Sequence, residues 1–173
     1  NKQMYTQRYY TRSPKDVIAE IEGYIDKYLI DSVEFFDLTA IVKKNWIKEF
    51  CYLLKERNIN ITWSLPSGTR SEALDSEVTK LMSETGCQYL VYAAESGSPR
   101  ILKQIKKKID LPKMIESMKS AKKNGLELRC NLIVGFPQET RWDIYKTFWL
   151  SIKCAFIGVD DCPFFIFAPF PLF

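Results

Sequence analysis

Apolar positions in this chain follow two alternating rhythms, one of helical spacing and one of short unbroken runs, and the second is clearest from Tyr89 to Ala94. That run carries no charge, so both of its faces are expected to be covered, as in a parallel strand flanked by helices. It stops abruptly at Glu95-Ser96-Gly97-Ser98-Pro99-Arg100. Ser98 reads as an N-cap and Pro99 as the first helical position, which sets free backbone N–H groups beside the Glu95 carboxylate. A strand that delivers a carboxylate and hydroxyls to a helix start suits a polar ligand. The plainer alternative is a tight turn that leaves Glu95 in solvent.

The same alternation runs along the whole chain. Residues 1–12 have no period and read as a loop, after which Ser13-Pro14 opens a helix with Val17, Ile21, Tyr24, Ile25 and Tyr28 on one face. A strand is expected over Ser32–Asp37, then a helix around Trp46, Ile47, Phe50, Leu53 and Leu54, then a strand over Ile59–Leu65. Asp75 caps a helix through Val78, Leu81 and Met82, and the Tyr89 strand follows Gly86. Helices over Ser98–Lys107 and Asp110–Asn124, a strand over Leu126–Val134, a helix over Thr140–Ala155 and a strand over Cys162–Ala168 complete the series.

Strands separated by helices imply parallel pairing with right-handed crossovers, hence an α/β fold. Thr62, Ser64, Arg129 and Asn131 put polar groups on one alternating strand face, which suits a partial TIM-type barrel with a wet interior better than an open doubly wound sheet. The chain opens on a helix, so the first strand of the barrel is expected to be missing from it.

Composition narrows the function classes. At 173 residues one domain is expected over 1–173. The net charge of +4 is spread out, and the dense basic run Lys103–Lys108 reads as a solvated helix face, so no nucleic-acid partner follows. No apolar segment is long enough to span a bilayer and no export signal opens the chain, which makes a cytoplasmic protein the expectation. The five cysteines, Cys51, Cys87, Cys130, Cys154 and Cys162, are widely separated, form no CxxC or CxxxCxxC group and read as buried thiols. The absence of histidine removes every mechanism built on an imidazole base.

In parallel α/β folds chemistry collects at the carboxyl ends of the strands. Those ends here carry Asp37-Leu38-Thr39, Pro66-Ser67-Gly68-Thr69-Arg70, Glu95-Ser96-Gly97-Ser98, Gly135-Phe136-Pro137-Gln138-Glu139-Thr140 and Ala168-Pro169-Phe170-Pro171. Glycine and proline let the backbone approach a ligand, while Asp37, Arg70 and Glu95 can hold its charged and hydroxyl groups. Taken alone, the Gly135 to Thr140 stretch is equally a turn with Thr140 capping the next helix.

In this order, the motifs resemble the core of a radical S-adenosylmethionine (radical SAM) enzyme over nearly the whole chain. The segment Gln7–Pro14 is similar to the stretch downstream of that superfamily's cluster-binding loop, and Glu95–Ser98 with Gly135–Thr140 most resembles the branch whose members often carry a cobalamin-binding domain. The resemblance implies a partial barrel of six strand-helix units that binds S-adenosylmethionine against a 4Fe-4S cluster and forms a 5′-deoxyadenosyl radical acting on an unknown small-molecule or peptide substrate. It also implies an electron donor such as flavodoxin or ferredoxin, with cobalamin as a further cofactor of the branch. Residue by residue, it places Glu95 and Ser98 at the ribose hydroxyls and Ile133 with Gly135 against adenine. It puts Asp37 at the methionine amino group, Arg70 at its carboxylate, and the backbone at Ala168 and Pro169 along the adenine edge.

Three departures accompany the likeness. Asn131 stands where the family often has glycine, Pro171-Leu172-Phe173 replaces a usual Pro-Gly-Thr, and the CxxxCxxC loop is absent, so the chain reads as a fragment beginning just after it, with cluster ligands outside it, and is expected to be inactive alone. Two other classes remain open. A Schiff-base aldolase needs a lysine at a desolvated strand end, which no strand supplies. A non-catalytic barrel module binding a partner or nucleotide would lack the cluster cysteines in the full-length gene.

Overall fold

Most helix starts among the described residues are set by short polar side chains. The computed structural model describes residues 11–36, 43–69 and 74–169. Ser13 Oγ accepts from Asp16 N–H at 3.1 Å and opens α1 (Pro14–Tyr28), and β1 (Ser32–Glu34) and α2 (Lys44–Glu56) follow. After β2 (Thr62–Thr69), Asp75 Oδ1 accepts from Val78 N–H at 3.0 Å to open α3 (Ser76–Glu84). Next come β3 (Cys87–Glu95), the short α4 (Pro99–Gln104), and α5 (Leu111–Lys123), capped by Asp110. The chain continues through β4 (Glu127–Val134), α6 (Arg141–Ile157) and β5 (Phe164–Ile166). Each cap satisfies an N–H that the helix itself leaves unpaired.

The five strands are all parallel and lie in sequence order, β1-β2-β3-β4-β5. Crossovers of one hand between neighbouring strands place the helices on one side, and the sheet curls into a half-barrel. Alternation along the strands sorts residues between the two sides. Leu65, Leu90, Tyr92, Leu128, Cys130 and Leu132 are buried against Phe50, Leu54, Val78, Met82, Met114 and Met118 of the helices. Thr62, Ser64, Arg129, Asn131 and Ile133 occupy the opposite face and are half-buried. The polar stripe expected of a barrel interior is therefore present.

Three strands differ most in extent from the sequence expectation, and α4 ends at Gln104 rather than Lys107. β2 starts at Thr62 and continues to Thr69. Pro66 has no N–H to donate, so the ladder with β3 slips between Leu65 and Thr69 and then resumes, with Thr69 Oγ1 donating to Val91 C=O at 3.1 Å. β1 and β5 are three residues each, shorter than their apolar runs. Each has a single neighbour in the sheet, so fewer ladder bonds hold its ends.

Candidate functional site

The carboxyl end of β3 is bent at one residue. Glu95 takes φ 63°, in the left-handed region that residues with a Cβ rarely adopt, and Ser96 N–H donates to Ala94 C=O at 2.8 Å across the tight turn. The pairing with β4 slips there too, from Ala93 opposite Asn131 to Glu95 opposite Leu132. Such a conformation costs about 1–3 kcal/mol and survives only where its surroundings enforce it. Here the bend lifts Glu95 onto the rim with its side chain 26% exposed, and Oε1 pairs with Lys107 Nζ.

The residues after Glu95 face the other way. Ser96 and Ser98 are fully buried. Ser96 Oγ lies 3.1 Å from Thr147 Oγ1 on α6, and Gly97 N–H donates to the same Thr147 oxygen at 3.1 Å. A Cβ on Gly97 would sit 2.2 Å from Lys146 C=O, so only glycine lets the loop lie this close to α6. Ser98 occupies the N-cap position of α4 as expected, but its hydroxyl makes no cap bond and donates instead to Asp143 Oδ1 at 2.5 Å. Its oxygen is spent on α6 and has no exposed surface.

Asp143 is the hub behind the site. Its carboxylate accepts from Arg100, from Ser98 Oγ and from Thr140 N–H and Oγ1; the Thr140 N–H bond and the return bond from Asp143 N–H to Thr140 Oγ1 at 3.3 Å form a capping box at the start of α6. The Arg100 guanidinium, followed by the Ser98 and Thr140 hydroxyls, holds this carboxyl well below its ordinary value, against the opposing effect of burial. Arg100 Nη2 also donates to Gln138 C=O at 2.7 Å, so the loops after β3 and β4 are tied together.

The loop after β4 is built around Glu139. Its Oε2 accepts from Gly135 N–H at 2.6 Å and from Phe136 N–H at 3.3 Å. Gly135 has φ 89° and is exposed, which turns the strand end outward. Phe167 N–H donates to Val134 C=O at 2.8 Å and its ring lies 5.0 Å from that of Phe136, so exposed Ala168 and Pro169 emerge beside Gly135. Glu95, Ile133, Gly135, Ala168 and Pro169 thus share one edge of the half-barrel. Asp37 and Arg70 lie outside the described residues.

Two buried oxygens near this edge, Asn131 Oδ1 and Glu139 Oε1, have no partner among the described residues. Unpaired acceptors, a carboxylate on the rim and glycine-opened backbone fit the adenosine portion of a nucleoside cofactor. A cluster is a different matter. Among the described residues no group of three or more His, Cys, Asp or Glu is arranged to hold a metal, and the sequence carries no CxxxCxxC loop. Cys130, Cys154 and Cys162 nevertheless converge from β4, α6 and the approach to β5, where the neighbouring Cys130 and Cys154 thiols draw the Cys162 pKa down. Sequence spacing could not show that convergence, because it is made by the pairing of β5 with β4. Lys107 and Asp143 were also missed, although Thr140-x-x-Asp143 is a readable capping pattern.

The family model described as the Radical SAM superfamily matches residues 1–148. The chain is 32% identical over 167 residues to an uncharacterized methyltransferase from Pyrococcus horikoshii, covering 96% of this chain and 35% of that protein. It is 31% identical over 132 residues to cytidylyl-2-hydroxyethylphosphonate methyltransferase from Streptomyces wedmorensis, covering 76% of this chain and 24% of the relative. The chain therefore spans about a third or less of the length of these relatives. Among solved structures, the radical S-adenosylmethionine methyltransferase TsrM from Kitasatospora setae, with cobalamin and a [4Fe-4S] cluster bound, superposes with a TM-score of 0.73 at 16% identity, over 92% of this chain and 32% of that one. The cobalamin-dependent S-adenosylmethionine radical enzyme OxsB gives 0.74 at 14% identity, over 85% of this chain and 23% of that one.

Proposed function

The chain belongs to the radical SAM superfamily, and from that premise we propose that residues 1–173 form part of a core domain holding the adenosine of S-adenosylmethionine across the carboxyl edge of its half-barrel. The observation that carries this reading is Glu95, whose left-handed backbone presents a carboxylate on the rim beside the Gly135 loop. In the proposal Glu95 accepts from the ribose hydroxyls, Ile133 and Gly135 pack against adenine, and the backbone at Ala168 and Pro169 meets its edge. Asp37 and Arg70 keep the methionine-end roles that the resemblance implies. Ser98 belongs to the scaffold.

When bound, a 4Fe-4S cluster supplies the electron that splits the cofactor's sulfonium C–S bond; soft thiolates hold such clusters. This chain's contribution is to orient the nucleoside and to shield its base between strand ends. Reduction of the cluster requires a one-electron donor, for which we propose a flavodoxin or ferredoxin. Among the described residues no helix is long and apolar enough to cross a membrane.

The reaction we propose for the parent protein is methyl transfer, with cobalamin as a further cofactor. Two relatives at about a third identity carry methyltransferase names. The test is anaerobic incubation of the full-length, cluster-loaded protein with S-adenosylmethionine and dithionite, followed by chromatography for 5′-deoxyadenosine and S-adenosylhomocysteine. Either product is expected, and cobalamin is expected to copurify. Glu95→Gln is expected to weaken cofactor binding at least tenfold, since each charge-assisted bond contributes roughly 1.5–3 kcal/mol. Absence of both products would overturn the reading.

A further inference from the structure

The lysine that meets Glu95 is placed by the backbone. α4 ends at Gln104, the Ile105 N–H donates to Ile101 C=O at 2.9 Å, Lys106 takes φ 57°, and Lys107 N–H donates back to Leu102 C=O at 2.9 Å. This closing turn folds the chain back onto the last turn of its own helix. It brings Lys107 Nζ to Glu95 Oε1, twelve residues earlier. Lys103, Lys106 and Lys108 are exposed and make no ion pair among the described residues, so the basic run has one member with a defined partner. Left-handed residues thus flank α4, Glu95 at the end of β3 and Lys106 just past the helix, and the two bends set one carboxylate against one ammonium.

We propose that Lys107 is a positioning residue for the nucleoside cofactor: it holds Glu95 by Oε1 in one rotamer and leaves Oε2 free to accept from the ribose hydroxyls. This rests on the reading of Glu95 given above. A free glutamate on a strand end samples several rotamers, and fixing one before the ligand arrives removes that ordering cost from binding. The pair is partly exposed, at 33% for the lysine and 26% for the glutamate side chain, so its effect is modest.

The experiment is equilibrium dialysis of S-adenosylmethionine against the full-length, cluster-loaded protein under anaerobic conditions, with melting temperature measured in parallel. Lys107→Met is expected to weaken binding about three- to fivefold with an unchanged melting temperature. Lys107→Arg is expected to restore binding, and Lys107→Met is expected to add nothing in a Glu95→Gln background, because the lysine acts only through that carboxylate. Lys107→Gln serves as the second neutral variant. Normal affinity in both neutral variants beside weakened Glu95→Gln would sink the role of Lys107 and leave the reading of Glu95 standing. Normal affinity in Glu95→Gln would sink both. Additive losses, or a lowered melting temperature that Lys107→Arg fails to recover, would make the pair a rim brace and overturn the proposal.

Discussion

At the scale of single residues, Glu95 holds a conformation that opposes stability and supports a site. A left-handed residue with a Cβ costs roughly 1–2 kcal/mol, which glycine avoids. Glu95→Gly should therefore leave the domain no less stable than the parent, and up to about 1 kcal/mol more stable once loss of the partly exposed Lys107 pair is counted. Cofactor affinity should fall at least tenfold in the same variant. Urea unfolding and dialysis on one preparation check both. A variant that loses stability and keeps affinity would assign the bend to folding. The sequence shows a carboxylate where an apolar strand stops, but not the left-handed backbone, because that bend is enforced by Ala94 burial and the shifted pairing with β4.

At the scale of elements, the loop after β3 and the start of α6 act as one unit through Asp143. Ser98→Ala removes one donor from this buried carboxylate and should cost about 1–3 kcal/mol while leaving cofactor affinity unaltered. An affinity loss without a stability loss would return Ser98 to the ribose. Acid should loosen the same joint. The Asp143 carboxyl is depressed below its ordinary 3.8 when folded. Its stabilising contribution is therefore complete above that value and fades as pH falls below it toward the folded pKa. Thermal melts from pH 6 down to about 3 should show a steeper decline for the parent than for Asp143→Asn, and parallel curves would refute the assignment. Much at this scale was legible: all five strands, their parallel order and the caps at Ser13, Asp75, Asp110 and Thr140 follow from period and cap residues. The end of β2 was not, since Pro66 argues locally for a stop and only the neighbouring strand carries the ladder past it. The partner of Ser98 was not legible for a similar reason. An N-cap and a donor to a remote carboxylate look the same in sequence.

At the scale of the whole molecule, α6 is apolar on two sides. Asp143, Thr147, Leu150 and Cys154 face inward, while Trp142, Tyr145, Trp149, Ile152 and Phe156 remain exposed at helical spacing, and Phe148 packs 4.8 Å from Phe164 of β5. An apolar stripe of this extent favours association. The 173-residue chain should bind a hydrophobic dye and self-associate at micromolar concentration, and Trp142→Lys with Phe156→Lys should reduce both without lowering the melting temperature. Light scattering coupled to size exclusion would show it, and a dye-silent monomer would contradict it. The sequence already hints at this, because the residues from Arg141 to Ile157 are apolar on more than one face.

The strand order has a consequence for synthesis. Each strand after β1 pairs with the one made just before it, so each new unit leaving the ribosome meets a template that already exists, and no closure has to span more than one strand-helix unit. The rim is completed in stages on that schedule: Glu95 emerges with β3, but Gly135 and Pro169 arrive only after β4 and β5. A nascent chain thus acquires most of its hydrophobic interior before it can hold a nucleoside, and premature termination after β3 should yield a folding-competent stub blind to its cofactor.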